Sequence, residues 1–332
     1  MEKFPAVEGK QRFPLHIPIY PCFLDHRFQG KAVLPAVEAM QVLAASVSEH
    51  LPAVDPTRIE DARFDKFLFL DSGEDAIAAF NEIEALADGR VLSTLLTRKQ
   101  AGTSGITRTK IHVSLCFSAK ETPPPDPLPG AGRGSRFSLG GAENVDLPTD
   151  QEPASPLPSQ GRGAGGVRLA LMGERFPYEM DSESEFRIPA DRLYGELVPF
   201  GPVYHNIRDA VVIFEEGALA DVAAAPHRTP TGPLGSPFPL DAAFHMACAW
   251  GQRYAGVVAF PVGLEERRVL RPTIPGEVYR AVVRPVRRDP DMLVFDMALI
   301  DADGAMRESA RGVRMRDVSG GRLTPPDWVV RR

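Results

Sequence analysis

Cysteine is scarce: three in 332 residues, at Cys22, Cys116 and Cys248, an odd number with no CxxC pair. That excludes a disulfide framework and points to a reducing, cytoplasmic setting. No apolar run approaches the ~18 uncharged residues a membrane span needs. The opening Met1–Phe13 stretch lacks the apolar core of a secretory leader, so no membrane partner is expected. Positive charge is not in excess either, with Lys+Arg 38 against Asp+Glu 44 and a net charge of −6. The electrostatic footprint of a nucleic-acid binder is therefore missing. Also absent are GxxxxGK[ST], a GxGxxG between strand and helix, GxSxG, HExxH and paired CxxC, which removes the common nucleotide, hydrolase and zinc signatures. What is present is an ordinary globular composition, 43% hydrophobic and 25% charged. The length suits about two domains.

Glycine (29) and proline (32) are abundant but unevenly spread. Residues 121–168 hold 9 Pro and 9 Gly in 48 positions, including the near-copies Pro127-Leu128-Pro129-Gly130 and Pro156-Leu157-Pro158-Ser159. Such a segment buries too little apolar area to offset its ordering entropy. It reads as a flexible linker or surface insertion between globular stretches at 1–120 and 169–320, with 321–332 as a C-terminal tail.

The two globular stretches share one order of elements. In the first, Val37, Met40, Leu43, Val47 and Leu51 recur at helical spacing behind Pro35. Strand-like runs follow at 58–70, 76–86, 91–98 and 107–118. In the last of these Ile111, Val113, Leu115 and Phe117 alternate with Lys110, His112 and Ser114. In the second stretch Leu240, Ala243, Phe244, Ala247, Trp250 and Tyr254 predict a helix entered through Pro239. Strand-like runs at 257–270, 278–286, 293–300 and 305–318 follow it, and runs at 167–178, 185–189 and 207–214 precede it. Asp88-Gly89 and Asp303-Gly304 each signal a tight hairpin. A helix, several antiparallel strands and a hairpin, occurring twice, predict an α+β duplication.

Two places carry candidate chemistry. His26 lies in a loop that turns at Gly30 and ends at the Pro35 helix entrance, where first-turn amides around Ala36 are placed to meet an oxyanion. Asp241 follows Pro239, with His245 one helical turn later on the same face. Taken singly, a loop histidine also reads as a surface hydrogen-bonder, and an aspartate in a first turn also reads as a cap.

Together, HxxxGxxxxP at His26, Gly30 and Pro35 and DxxxH at Asp241 and His245 resemble the two active-site motifs of polyketide synthase dehydratase domains. A third motif of that family, GYxYGPxF, is similar to residues 197–204 only in part. Gly201 and Pro202 match, Phe200 stands where the family has tyrosine, and Tyr204 closes the motif. Phe260-Pro261-Val262-Gly263 is similar to a further, weaker motif. The resemblance spans roughly residues 13–118 and 169–318 and leaves the Pro/Gly-rich segment unmatched.

The resemblance implies a double-hotdog fold, two tandem units each with a long helix wrapped by an antiparallel sheet. It also implies removal of water from a 3-hydroxyacyl thioester carried on the phosphopantetheine of an acyl carrier protein. His26 then acts as the base and Asp241 as the acid or leaving-group orienter, supported by Gly30, Pro35, Ala36 and His245. Tyr204 or His205 is expected to replace the missing tyrosine hydroxyl. Val37, Met40, Phe200, Gly201, Pro202, Phe244 and Pro261 are expected to line the acyl site, and Met246 is a further candidate. Arg267, Arg268, Arg287, Arg288, Arg311, Arg314 and Arg316 are expected to give a basic entrance for an acidic carrier. No resident cofactor or metal is expected, and a homodimer is one option for assembly. Alternatives on the same fold are double-bond isomerisation, aldol cyclisation as in product-template domains, a non-catalytic acyl-binding module, and a metal site from His26, Asp241 and His245.

Overall fold

A computed structural model describes residues 9–101, 106–120, 185–226 and 232–330. The expected linker at 121–168 and the expected strand at 167–178 lie outside the described residues. The chain opens with β1 (Lys10–Pro18), passes through the small hairpin β2 (Arg27–Phe28) and β3 (Lys31–Ala32), and enters α1 (Ala36–His50). Then come β4 (Val54–Phe64), β5 (Ala76–Ala85), β6 (Val91–Ala101) and β7 (Ile106–Ala119). The second half holds β8 (Phe186–Pro189), the short helix α2 (Ala190–Arg192) running on into a wide turn Leu193–Leu197, β9 (Ala210–Phe214) and β10 (Gly217–Ala223). It closes with α3 (Phe238–Trp250), β11 (Phe260–Val269), β12 (Val278–Asp289), β13 (Met292–Ile300) and β14 (Met306–Arg316).

Twelve strands form one sheet in the order β1-β5-β6-β7-β4-β11-β14-β13-β12-β10-β9-β8. Outward from the antiparallel β4–β11 pair, one half reads β4, β7, β6, β5, β1 and the other β11, β14, β13, β12, β10. Each series gives the strand after the helix, the fourth, third and second after it, then a strand from before it. The duplication is therefore topological, with α1 and α3 equivalent, and the fold is a double hotdog. The Asp-Gly pairs are not part of that repeat. Asp88-Gly89 turns β5 into β6, whereas Asp303-Gly304 turns β13 into β14, the neighbouring hairpin of the repeat. Both glycines take positive φ, +84° and +81°, which explains the shared dipeptide without common descent of the turn.

Two strands carry no sequence signal of their own. β1 contains Pro14 and Pro18, which a ladder tolerates because β1 is the sheet edge and pairs only with β5. β10 is short and alanine-rich, and its place is set by β9 and β12 on either side. Every α3 side chain is buried; apart from Asp241 and His245 they are apolar or small, as a helix in the core demands. Residues such as Leu240 and Phe244 each contribute about 1.5–3 kcal/mol by leaving water. The alternation expected in β7 fails at one point. The β6–β7 ladder pairs Leu95 with Val113 but Leu96 with Ile111, leaving His112 as an extra residue. This bulge turns Ile111 outward, 45% exposed, and His112 inward, 2% exposed.

Candidate active site

His26 is pinned through its backbone from both sides. Its amide donates to the Phe23 carbonyl (3.1 Å), closing the turn Pro21–Asp25, and its carbonyl accepts from the Val33 amide (2.9 Å). The β2–β3 hairpin between them reverses at Gln29 and Gly30, both at positive φ. Gly30 has open space around it, so it is there for its backbone conformation.

A second loop presses on the first. The Gly201 amide donates to the Asp25 carbonyl (2.7 Å) and the Val203 amide to Asp25 Oδ2 (3.1 Å). A Cβ at Gly201 would overlap the Asp25 side chain, which accounts for glycine at this position. Docked this way, the loop lays the Phe200 ring on the His26 imidazole, 4.2 Å between centroids and 19° from parallel. The other edge of Phe200 approaches His245 at 5.0 Å.

Asp241 and His245 come from α3. The N-cap position of α3 is Pro237, and Asp241 stands inside the first turn that begins at Phe238, so it is not the helix's N-cap. Its Oδ2 lies instead 3.1 Å from His245 Nε2 in a buried pair. His26, Asp241 and His245, over two hundred positions apart in the chain, line a single cavity of about 1000 Å³. Ala36, at the start of α1, lines it too. The first intrahelical bond runs from the Ala39 amide to the Pro35 carbonyl, so the Ala36 amide stands ahead of the ladder with no partner inside the helix.

Burial pushes the His26 imidazole down to about 4, against the attraction of Asp241 and with a small push from His245. Its ring is therefore neutral at pH 7. Glu38, in the first turn of α1, is pushed up to about 8 by burial, with the Asp241 charge adding to the effect. Its native pKa lies above its unfolded value, so its neutral form is favoured by folding and stability falls as pH rises from about 4.5 to 8. Glu38→Gln is expected to melt with the wild type at low pH and about 2–4 °C above it at pH 9. Scanning calorimetry across that range measures the gap, and a gap independent of pH would deny the buried titration.

Several expected residues are placed elsewhere. Gly30, Phe200, Phe244, Pro261 and His245 line the cavity. Val37, Met40 and Met246 are fully buried but outside it, and Met40 Sδ meets Arg267 Nη1 at 3.8 Å. Gly201 and Pro202 shape the loop rather than the wall. His205 turns away, stacked on Tyr194 at 4.2 Å and donating from Nε2 to the Phe200 carbonyl (2.8 Å). Tyr204 is fully buried behind the His26 ring, 5.1 Å between centroids, and its hydroxyl has no partner among the described residues.

The expected basic entrance is also redistributed. Arg267 is fully buried and bonds Glu308 at 2.8 Å. Arg268 and Arg311 pair with Glu266, Arg287 with Asp289, and Arg314 donates to the Ala62 carbonyl. Of those seven arginines only Arg316 lines the cavity, joined there by Arg27, Lys66 and Lys110. Arg27 and Lys110 donate to backbone carbonyls, of Leu24 and Phe67. Sequence reasoning missed these, together with Tyr194, Cys248, Gln252 and the C-terminal segment. That segment contributes Leu323 and Thr324 to the wall and is tied down by Trp328. The indole donates to Glu196 (2.5 Å) under the Arg192 guanidinium, 3.5 Å from the ring centroid. Among the described residues no group of three or more His, Cys, Asp or Glu is arranged to hold a metal ion. No helix among them is long and apolar enough to cross a membrane.

The double hotdog thus places a half-buried histidine and an aspartate from the second long helix on one cavity. Residues 183–325 match the family model described as the polyketide synthase dehydratase N-terminal domain. The fold is shared with the dehydratase domain of a mycocerosic acid synthase-like polyketide synthase, at TM-score 0.61 and 19% identity over 96% of this chain and 93% of that one. It is shared also with the dehydratase domain of RzxB from Pseudomonas fluorescens (TM-score 0.61, 16% identity, 95% and 97% covered). A third is the dehydratase domain of PpsC from Mycobacterium tuberculosis, solved in complex with C12:1-CoA (TM-score 0.57, 16% identity, 95% and 96% covered). No curated protein matches the chain.

Proposed function

We propose that this protein removes water from a 3-hydroxyacyl thioester to give the 2-enoyl thioester in polyketide assembly. The observation that carries the reading is the shared cavity, with a neutral imidazole on one wall and the Asp241–His245 pair on another. His26 takes the α-proton, and the C–H electrons move toward the α-carbon as negative charge builds on the thioester carbonyl oxygen. The Ala36 amide, pre-set at a helix start, meets that charge. The β C–O bond then breaks. Asp241 holds the departing hydroxyl by accepting its hydrogen. The imidazolium, held acidic by its burial, returns its proton to the oxygen, which leaves as water. His26 ends neutral, as it began. Asp241 also faces the imidazolium while it is charged, and so lowers the cost of the first step.

Apolar walls including Leu95, Val113 and Phe244 suit an acyl chain. The Arg27, Lys66 and Lys110 cations suit the phosphate of a phosphopantetheine arm, whether on a carrier protein or on coenzyme A. The fatty acyl-CoA held by the PpsC domain has the same two chemical parts.

Mixing the protein with a 3-hydroxyacyl phosphopantetheine thioester should yield the enoyl product, one water lighter by mass. The pantetheine thioester lacking the phosphate should show a KM higher by about tenfold, since one charge-assisted contact is worth roughly 1.5–3 kcal/mol. Lys66→Ala with Lys110→Ala should erase that preference. Wild type that binds the thioester without losing water, under single turnover, would leave an acyl-binding module instead.

A further inference from the structure

The Asp241–His245 pair has a third member that none of the quoted motifs contains. Tyr194 sits in the wide turn Leu193–Leu197, almost wholly buried. Its ring is fixed by stacking on His205 (4.2 Å, 11°), and it meets His245 edge-on, 5.7 Å between centroids and 87° between planes. His205 is itself tied to the Phe200 carbonyl, so the ring that covers His26 and the ring that faces His245 are braced through one another. The Tyr194 hydroxyl oxygen accepts the Ile207 amide hydrogen at 3.1 Å and lies 3.5 Å from His245 Nδ1.

That arrangement leaves one way to place the hydrogens. A hydroxyl that accepts from a backbone amide still has its own hydrogen to give, and an amide cannot receive it. The acceptor within reach is His245 Nδ1. A neutral imidazole carries one N–H, so an accepting Nδ1 puts the hydrogen on Nε2, which faces Asp241 Oδ2 at 3.1 Å.

We propose that Tyr194 is a positioning residue: its hydroxyl holds His245 in the Nε2–H tautomer, and so decides that a hydrogen and not a lone pair is turned toward Asp241. Phenylalanine at 194 preserves the stacking and the fill of the site but offers Nδ1 nothing. The imidazole is then free to carry its hydrogen on either nitrogen. In the Nδ1–H form, Nε2 turns a lone pair toward the carboxylate, and the two repel. The consequence for turnover rests on the dehydratase reading; the tautomer itself does not.

The test is long-range proton–nitrogen NMR of the uniformly 15N-labelled protein at pH 8, with the His245 signals assigned by their loss in His245→Gln. Wild type should show His245 with its hydrogen on Nε2, and Tyr194→Phe should show a mixture or the other tautomer. Kinetics should follow, with kcat lower by about tenfold and KM within about twofold, as for other partners that orient a working group. In the His245→Gln background the same tyrosine change should cost nothing further. Nδ1–H in the wild type would overturn the proposal. So would an unmoved tautomer in Tyr194→Phe, or the same tenfold loss with glutamine at 245. Should wild type not dehydrate any 3-hydroxyacyl thioester, the functional reading fails and the tautomer measurement alone decides this one.

Discussion

His26→Ala is expected to lower kcat by about 10²–10⁴-fold, the range set by removal of a positioned general base, while acyl binding persists. Binding should persist because the wall is built from other residues: Phe200, Phe244 and Pro261 keep their places on it. Direct titration with a non-hydrolysable acyl pantetheine amide separates the two effects. Loss of binding and turnover together would make His26 a brace for the Phe200 loop and not a base. The pH profile gives a second check on the same residue. A base must be neutral to work, and burial pulls His26 from an ordinary 6.5 down to about 4. Activity in kcat/KM should therefore hold on the acid side through pH 6 and fall only as pH drops toward 4. An acid limb at 6.5 would mean an imidazole in water, not one under Phe200.

Much of this site is legible in the sequence for a definite reason. His26, Gly30, Pro35, Asp241 and His245 each have a local job tied to residue type: a titratable ring, a positive φ, a helix entrance, a carboxylate one turn from an imidazole. Spacing alone preserves those jobs. Wall residues are another matter. Val37 and Met40 share a helix with Ala36 and Ala39, and both pairs are apolar. Only the direction in which α1 meets the sheet sends Ala36 and Ala39 to the cavity and Met40 toward Arg267. His112 is hidden by a bulge that depends on how β6 and β7 slip past each other, and no alternation pattern records a slip. Charges mislead in the same way. Arg267 and Arg268 are neighbours in a strand, so one faces out and the other is fully buried against Glu308. Tyr194 belongs to none of the quoted motifs, and its role appears only once Ile207 and His245 are brought to its hydroxyl.

Asp241→Asn is expected to cost about 10²–10³-fold in kcat, the second-largest loss, and to do something His26→Ala cannot: move the pH profile. The two side chains have almost the same shape, so packing against His245 is kept, and the change is one of charge. Asp241 is the group that raises the His26 pKa against its burial. With that charge gone the imidazole becomes a weaker base, and the acid limb of kcat/KM should shift below the wild-type position near 4. Rate falls for the same cause, since the imidazolium that forms in the first step no longer faces a carboxylate. The departing hydroxyl also loses a charged acceptor for its hydrogen. The companion effect falls on Glu38, whose raised pKa owes part of its lift to Asp241. In Asp241→Asn the stability loss attributed to Glu38 should be smaller and be complete at lower pH, because the native pKa moves back toward its unfolded value. Rate, acid limb and melting curve thus report one carboxylate acting on two neighbours from opposite sides. A variant that keeps kcat within about threefold, or whose acid limb stays in place, would take Asp241 out of the field of His26 and with it the mechanism.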